Sequence, residues 1–202
     1  MILVIIGPPA SGKGTTAVRI AKNYGLEHIA TGDIFRNLDD EEIAKYLISG
    51  RLLPDELVAK AVNREMGGKK NLVLDGYPRN VAQAKLLDSF LESEGQKVDR
   101  VIYLDTSEET VIRRMTNRRI CPKCGKVYNL ATLPPPKPGT CECGGELIQR
   151  DDDKEQTIRD RIGVFNQHTK PVLEHYEEKV LKIDGNNEID KIMEDIGKGL
   201  EE

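Results

Sequence analysis

A chain of 202 residues with 30 Lys and Arg against 34 Asp and Glu, net charge −4, has the size for one substantial core and a small inserted module. At 38% hydrophobic and 32% charged residues its balance is that of a globular protein, and its acidity excludes a general nucleic-acid coat, whose affinity rests on a large basic surface. No apolar run approaches the roughly 20 residues of a membrane span, and no signal segment precedes the first predicted strand, so the expected compartment is the cytoplasm.

That strand, 2–6, is the apolar run Ile2-Leu3-Val4-Ile5-Ile6. Gly7-Pro8-Pro9-Ala10-Ser11-Gly12-Lys13-Gly14-Thr15 follows, leading into a predicted helix over 13–23. Strand, glycine-bearing loop and helix form the context of a phosphate-binding loop. The loop N–H groups and the positive end of the helix suit an oligophosphate, with Ala10, Ser11, Gly12, Lys13, Gly14 and Thr15 as candidate contacts. Lys13 can reach the outer phosphates as a point charge. Two residues depart from the general pattern. Gly14 stands where Ser or Thr would supply the hydroxyl that ligates magnesium, so Thr15 or a water must replace it. Ala10 stands where a glycine-rich loop has Gly, and its Cβ restricts the backbone if φ must be positive. Gly25 is positioned to close the helix in the left-handed conformation.

Next comes a strand at 28–30, then Thr31-Gly32-Asp33-Ile34-Phe35-Arg36, with helices predicted at 32–37, 40–48 and 55–66. The absence of a strand over 32–66 reads as a small helical lobe. Asp33 is a candidate water-mediated magnesium partner and Arg36 faces the cleft; the plainer reading is a capped helix with a solvated arginine. A strand at 71–75 runs into Asp75-Gly76-Tyr77-Pro78-Arg79. Asp75 then lies at the sheet's carboxyl edge, where it can hold magnesium-bound water or cap the turn, and Arg79 can grip a second phosphate. Asn80-Val81-Ala82-Gln83 opens a helix over 80–93. Gln83 either bonds back to the Asn80 backbone or reads a base with its paired donor and acceptor.

A strand at 100–105 precedes Thr106-Ser107-Glu108-Glu109, a capping box for a helix over 107–118 whose Arg114 and Arg118 share one face. Residues 119–150 read as a loop-rich insertion that contains Pro134-Pro135-Pro136-Lys137-Pro138-Gly139 and all four cysteines. Clustered as Cys121-Pro122-Lys123-Cys124 and Cys141-Glu142-Cys143, they read as four thiolate ligands of zinc rather than as disulfides. Helices at 154–167 and 169–178, with Pro171 kinking or dividing that region, a strand at 180–184 and a helix at 187–199 complete the chain. Alternating strands and helices imply a parallel sheet covered on both faces, with ligands beyond the strands' carboxyl ends. The arginines, joined beyond the insertion by Arg150 and Arg161, suit phosphoryl transfer, which builds negative charge on the moving group. No Ser/His/Asp signature is present, and His28, His168 and His175 read as surface or packing residues.

Residues 7–15, Thr31-Gly32-Asp33 with Arg36, Asp75-Gly76-Tyr77-Pro78-Arg79 with Gln83, and Arg150-Asp151-Asp152 with Arg161 occur in an order and spacing that resembles the adenylate kinase family, in its long-lid form with a metal-binding lid. The resemblance covers essentially the whole chain. It implies an α/β fold of P-loop NTPase type, with a five-stranded parallel sheet flanked by helices. The core would be 1–30, 67–118 and 151–202, the helical AMP-binding lobe 31–66, and the zinc-bearing lid 119–150. The implied reaction is reversible, magnesium-dependent phosphoryl transfer, ATP plus AMP giving two ADP, in adenine nucleotide homeostasis and salvage. The implied actor is a cytoplasmic monomer with no nucleic-acid or membrane partner. By resemblance, Lys13, Arg114, Arg118, Arg150 and Arg161 contact the transferring phosphates, with Arg118 also on ATP. Arg36, Arg79, Arg150 and Arg161 hold the AMP phosphate; Thr31, Gly76 and Gln83 surround its base or the approach to it; Arg51, Leu52 and Leu53 supply backbone contacts. Val127 and Tyr128 contact ATP, Asn187 lies beside its adenine, and Asp33 and Asp75 hold magnesium through water.

The sequence departs from that family at Ala10, in a lobe that looks short between Arg36 and Gly50, and in the single residue between Cys141 and Cys143, where the family's lid usually has two. A UMP or CMP kinase is the nearest alternative, which Gln83 and the long lid disfavour. A zinc-ribbon nucleic-acid binder would have only Arg119, Lys123, Lys126, Lys137 and Arg150 against Glu142 and Glu146, thin for a duplex. A GTPase switch lacks the Asn-Lys-x-Asp guanine-reading element.

Overall fold

Near-continuous apolar runs build the centre of the molecule. The computed structural model describes residues 1–36, 43, 46, 52–150, 153 and 155–201. Strands β1 (Ile2–Ile6), β2 (Glu27–Ala30), β3 (Leu72–Asp75), β4 (Arg100–Asp105) and β7 (Val180–Asp184) form one parallel sheet in the order β2-β3-β1-β4-β7. Every residue of β1 is buried, as a strand covered on both faces requires. Ile2, Val4 and Ile6 face a core closed by helices α3 (Asp55–Met66) and α4 (Val81–Ser93), through Val58, Val62, Leu87 and Leu91. Leu3 and Ile5 face the other core, closed by Ala17 and Ile20 of α1 (Lys13–Tyr24) and by Ile192 and Ile196 of α8 (Ile189–Glu201).

The chain leaves β1 toward β2 on one side and returns to β4 on the other, so the carboxyl end of β1 is a topological switch point. Gly25 ends α1 at φ 64, and its N–H donates to Ala21 O, as expected from sequence. The other helices are α2 (Thr31–Arg36), α5 (Glu108–Thr116), α6 (Glu155–Val164) and α7 (Val172–His175). No helix is long and apolar enough to cross a membrane among the described residues. The helix predicted at 40–48 lies outside the described residues except for Ile43 and Tyr46.

Tertiary contacts shifted several predicted boundaries. The helix expected over 107–118 stops at Thr116, because residues 118–120 pair as strand β5 (Arg118–Ile120) with β6 (Val127–Asn129). The insertion therefore holds a two-stranded antiparallel sheet that its loop-like composition concealed. The cap of α5 is Ser107, whose hydroxyl accepts from Thr110 N, while Thr106 turns inward to donate to Leu104 O. The helices expected at 154–167 and 169–178 shorten to α6 and α7, separated by a π-helical turn at Phe165–Thr169. There Lys170 N bonds Phe165 O at 2.9 Å, and Pro171, with no N–H to give, begins the next segment.

Candidate active site

The phosphate loop links β1 to α1 at the switch point. Gly12, the residue before α1, sits at φ 99 and offers no side chain to the first-turn N–H groups, so those donors face outward at the sheet edge. Ala10 does adopt a positive φ, of 52, strain of order 1 kcal/mol or more for a residue with a Cβ. Its methyl packs against Val111 and Met115 of α5 and Ile158 and Ile162 of α6, contacts a glycine would lack. Lys13 Nζ donates to Gly7 O and Pro8 O, both at 2.8 Å. Ser11 Oγ and Thr16 Oγ1 are buried with no hydrogen-bond partner among the described residues. Thr15, the expected source of a magnesium hydroxyl, is exposed at the start of α1.

Charges from four separate elements act on Lys13. Burial pulls its ammonium down to about 8; Asp75 opposes that, and Arg79, Arg161 and Arg118 add to it. A triphosphate bound beside Lys13 would restore the proton. Nucleotide binding at pH 8.5 is therefore expected to take up a large fraction of a proton at Lys13, less at pH 7.5, and none there in Lys13→Met. Calorimetry in buffers of different ionisation enthalpy measures this; a proton count independent of pH and of Lys13 would refute it.

Asp75 ends β3, opposite Ala30 of β2 and Ile5 of β1. A Cβ on Gly14 would come within 3.3 Å of its Oδ2, so glycine lets the first turn of α1 pack close to the carboxylate. His28 Nε2 lies 3.6 Å from the same oxygen and is buried without a hydrogen bond among the described residues. The histidine read as a surface or packing residue thus faces the site. Gly76 turns the chain at φ 79, and Thr31 Oγ1 bonds Asp75 O and Gly76 O at 3.1 and 2.8 Å. Arg79 Nε donates to Gly76 O at 2.8 Å, and Arg79 O accepts from Thr169 Oγ1 of the π-helical turn.

Thr31, Leu52, Leu53, Gly76, Arg79 and Gln83, all singled out from sequence, line one cleft with Gly32, Phe35 and Val58. Arg51 and the side chain of Arg36 lie outside the described residues. Gln83 is buried; its Oε1 accepts from Arg79 N and its Nε2 donates to Asp55 Oδ1. Asn80 caps α4 through Gln83 N and also donates to Asp55. Gln83 thus bonds back to Arg79 rather than to Asn80, and one amide hydrogen remains to read a base. Asp55 was missed; the available signal was an acid directly after Pro54 at a helix start. Asp33 is exposed in the first turn of α2.

On the other side, Arg114 donates to Ser11 O at 3.3 Å, Gly185 O at 2.7 Å and Asn187 O at 3.2 Å. It fastens the phosphate loop to the loop after β7, where the candidate adenine neighbour Asn187 lies. Arg118 makes a bidentate pair with Asp153, whose carboxylate is fully buried. Arg150 is half-buried at the end of the insertion, and Arg161 projects from α6. Val127 is exposed, while Tyr128 is only 2% exposed and its side chain is turned into the insertion, as strand alternation dictates.

Tyr128 meets the cysteines. The Sγ atoms of Cys121, Cys124, Cys141 and Cys143 all lie within 4.8 Å of one another, with Cys121–Cys143 and Cys124–Cys141 at 3.5 Å. Four sulfurs at tetrahedral corners about 2.3 Å from zinc would stand ~3.8 Å apart, so the set fits that ion and leaves no open position. The Tyr128 hydroxyl beside Cys141 holds that thiol down to about 6.

The adenylate kinase family model matches residues 5–181 of this chain. The adenylate kinase of Thermotoga neapolitana is 46% identical over 209 residues, covering 97% of this chain and 95% of that protein. That of Thermoanaerobacter sp. (strain X514) is 44% identical, covering 99% and 98%, and that of Fervidobacterium nodosum is 44% identical, covering 96% and 94%.

Proposed function

This chain belongs to the adenylate kinase family, and from that premise we propose which of its residues do the work. It is an ATP:AMP phosphotransferase, passing a phosphoryl group reversibly between ATP and AMP. Lys13, Arg118, Arg150 and Arg161 stabilise the charge that spreads over the moving group, which calls for convergent cations rather than acid–base groups. The observation that carries this assignment is the placement of Lys13 on the loop after β1, its Nζ bonded to Gly7 O and Pro8 O, with Asp75 at the same edge of the sheet on β3 and Arg79 in the adjoining cleft. The phosphate loop from Ala10 to Thr15 holds the ATP phosphates. Arg79 holds the AMP phosphate together with Arg36, Arg150 and Arg161. Gln83, held by Asp55, reads the AMP base in the cleft it shares with Thr31, Leu52, Leu53 and Gly76. Arg51 adds a backbone contact beside them. Arg114 acts through the loops it joins, setting the phosphate loop against the adenine edge at Asn187; Val127 contacts ATP.

Asp75 and Asp33 would hold magnesium through water; the place of Asp75 at the carboxyl end of β3, beside the first turn of α1, supports that role. Magnesium on the nucleotide neutralises phosphate charge as the group moves. Zinc in the four-cysteine cluster is structural. Residues 31–66 serve as the AMP lobe and 119–150 as a lid that closes over ATP, excluding the water that would otherwise take the phosphoryl group. A cluster of four metal-ligating thiols suits a reducing cytoplasm.

A coupled assay of ATP with AMP, UMP and CMP tests the specificity. AMP is expected to react fastest, and faster turnover of UMP or CMP would refute the role of Gln83. Metal analysis tests the lid. About one zinc per chain is expected in protein purified without chelator, and less than about half an equivalent of any metal defeats the zinc reading.

A further inference from the structure

The second cysteine pair has one residue between its sulfurs, Glu142, where the first has Pro122 and Lys123. In the first pair the chain turns back on itself, with Gly125 N donating to Cys121 O and Cys121 N to Lys126 O, both at 2.9 Å. The shorter pair has a different neighbour. Tyr128 is 2% exposed, and its hydroxyl oxygen lies 3.3 Å from Cys141 Sγ. The same oxygen accepts the Glu142 N–H at 3.3 Å. That accepted bond occupies one side of the oxygen and leaves the O–H to point at sulfur. A metal-bound sulfur is a thiolate and can only accept, so the direction of this bond is settled when the site is filled.

We propose that Tyr128 is a positioning residue for the lid metal, its hydroxyl donating to the Cys141 thiolate while its oxygen holds the Glu142 amide, so that the one-residue pair presents both sulfurs. This rests on the zinc reading above. Glu142 itself is tied across to the first pair, since Lys126 Nζ lies 2.5 Å from Glu142 Oε2 and 5.5 Å from the Tyr128 ring centroid. Gly145 closes the cluster from behind, where a Cβ would stand 2.8 Å from Cys121 Sγ. Four thiolates around one divalent ion carry excess negative charge, and a donor to one sulfur draws part of it off. A buried phenol with no acceptor would be costly, so the ring and the thiolate satisfy each other.

The test compares the intact holoprotein with Tyr128→Phe, which keeps the ring. Zinc competition against a chromophoric chelator is expected to show affinity lower by roughly 10- to 100-fold, the range for loss of an outer-shell partner. With cobalt(II) in place of zinc, the thiolate-to-metal charge-transfer band should move to lower energy, because an unbonded sulfur is easier to oxidise. A packing residue of the same cluster serves as control: Leu147→Ala should lower lid stability without moving the band. If Tyr128→Phe does not fold, biosynthetic replacement of tyrosine by 3-fluorotyrosine strengthens the donor without removing it, and the band should move to higher energy. Affinity within twofold of wild type, or a band unmoved by the substitution made, overturns the proposal. Wild-type protein that holds no metal overturns the zinc reading itself, so the two failures are distinguishable.

Discussion

Lys13→Met is expected to lower kcat by on the order of 100- to 1000-fold while leaving the fold intact. Lys13 Nζ rests on two loop carbonyls, those of Gly7 and Pro8, which water can satisfy when the ammonium is gone. Stability therefore has little to lose. Catalysis has more, because Lys13 is the cation of the phosphate loop and feels the charges of Arg79, Arg118 and Arg161. Its pull on the moving phosphoryl group is greatest at the transition state, so the loss belongs in kcat more than in KM. Steady-state kinetics with both nucleotides varied, alongside thermal unfolding, makes the measurement. A mutant within a few-fold of wild type refutes the assignment.

Asp153→Ala is expected to be the most destabilising single change near the site. The Asp153 carboxylate is 0% exposed and its partner Arg118 14% exposed, so removal leaves a guanidinium buried without its counter-charge. Breaking a buried pair from one side costs about 3–5 kcal/mol. For a domain of this size each kcal/mol moves Tm by roughly 2–4 °C, so a fall of about 6–20 °C is expected. Turnover should fall as well, because among the described residues this carboxylate is what the Arg118 side chain bonds at the neck of the insertion. The double change Arg118→Met with Asp153→Leu separates the two effects. It removes both charges, so it should recover most of the stability and none of the activity. A single mutant within 2 °C of wild type, or a double mutant as unstable as the single, defeats this account.

The short-range part of the molecule was legible before the fold was known. The buried run of β1, the glycine-bearing loop, the left-handed close at Gly25 and the two local cysteine pairs each depend on residues within a few positions of one another. Residue type and periodicity carry such information directly. Even the strain at Ala10 could be anticipated, because a phosphate loop imposes its backbone whatever residue stands there.

Tertiary structure decided what those residues touch. Gln83 meets Asp55 across 28 positions, Arg118 meets Asp153 across 35, and Arg114 meets Ser11 across 103. No periodicity encodes such meetings; they follow from how the sheet order β2-β3-β1-β4-β7 carries the chain back over itself. The same holds for His28, which reaches Asp75 only because β2 pairs with β3. In the insertion, composition announced a metal-held loop, but only pairing of β5 with β6 turned Val127 outward and Tyr128 inward. By itself the sequence determined which groups were present and which local turns they could make. The chain's path determined which of them share a low-dielectric pocket, and there proximity converts a side chain into a ligand holder, a counter-charge or a reader of bases.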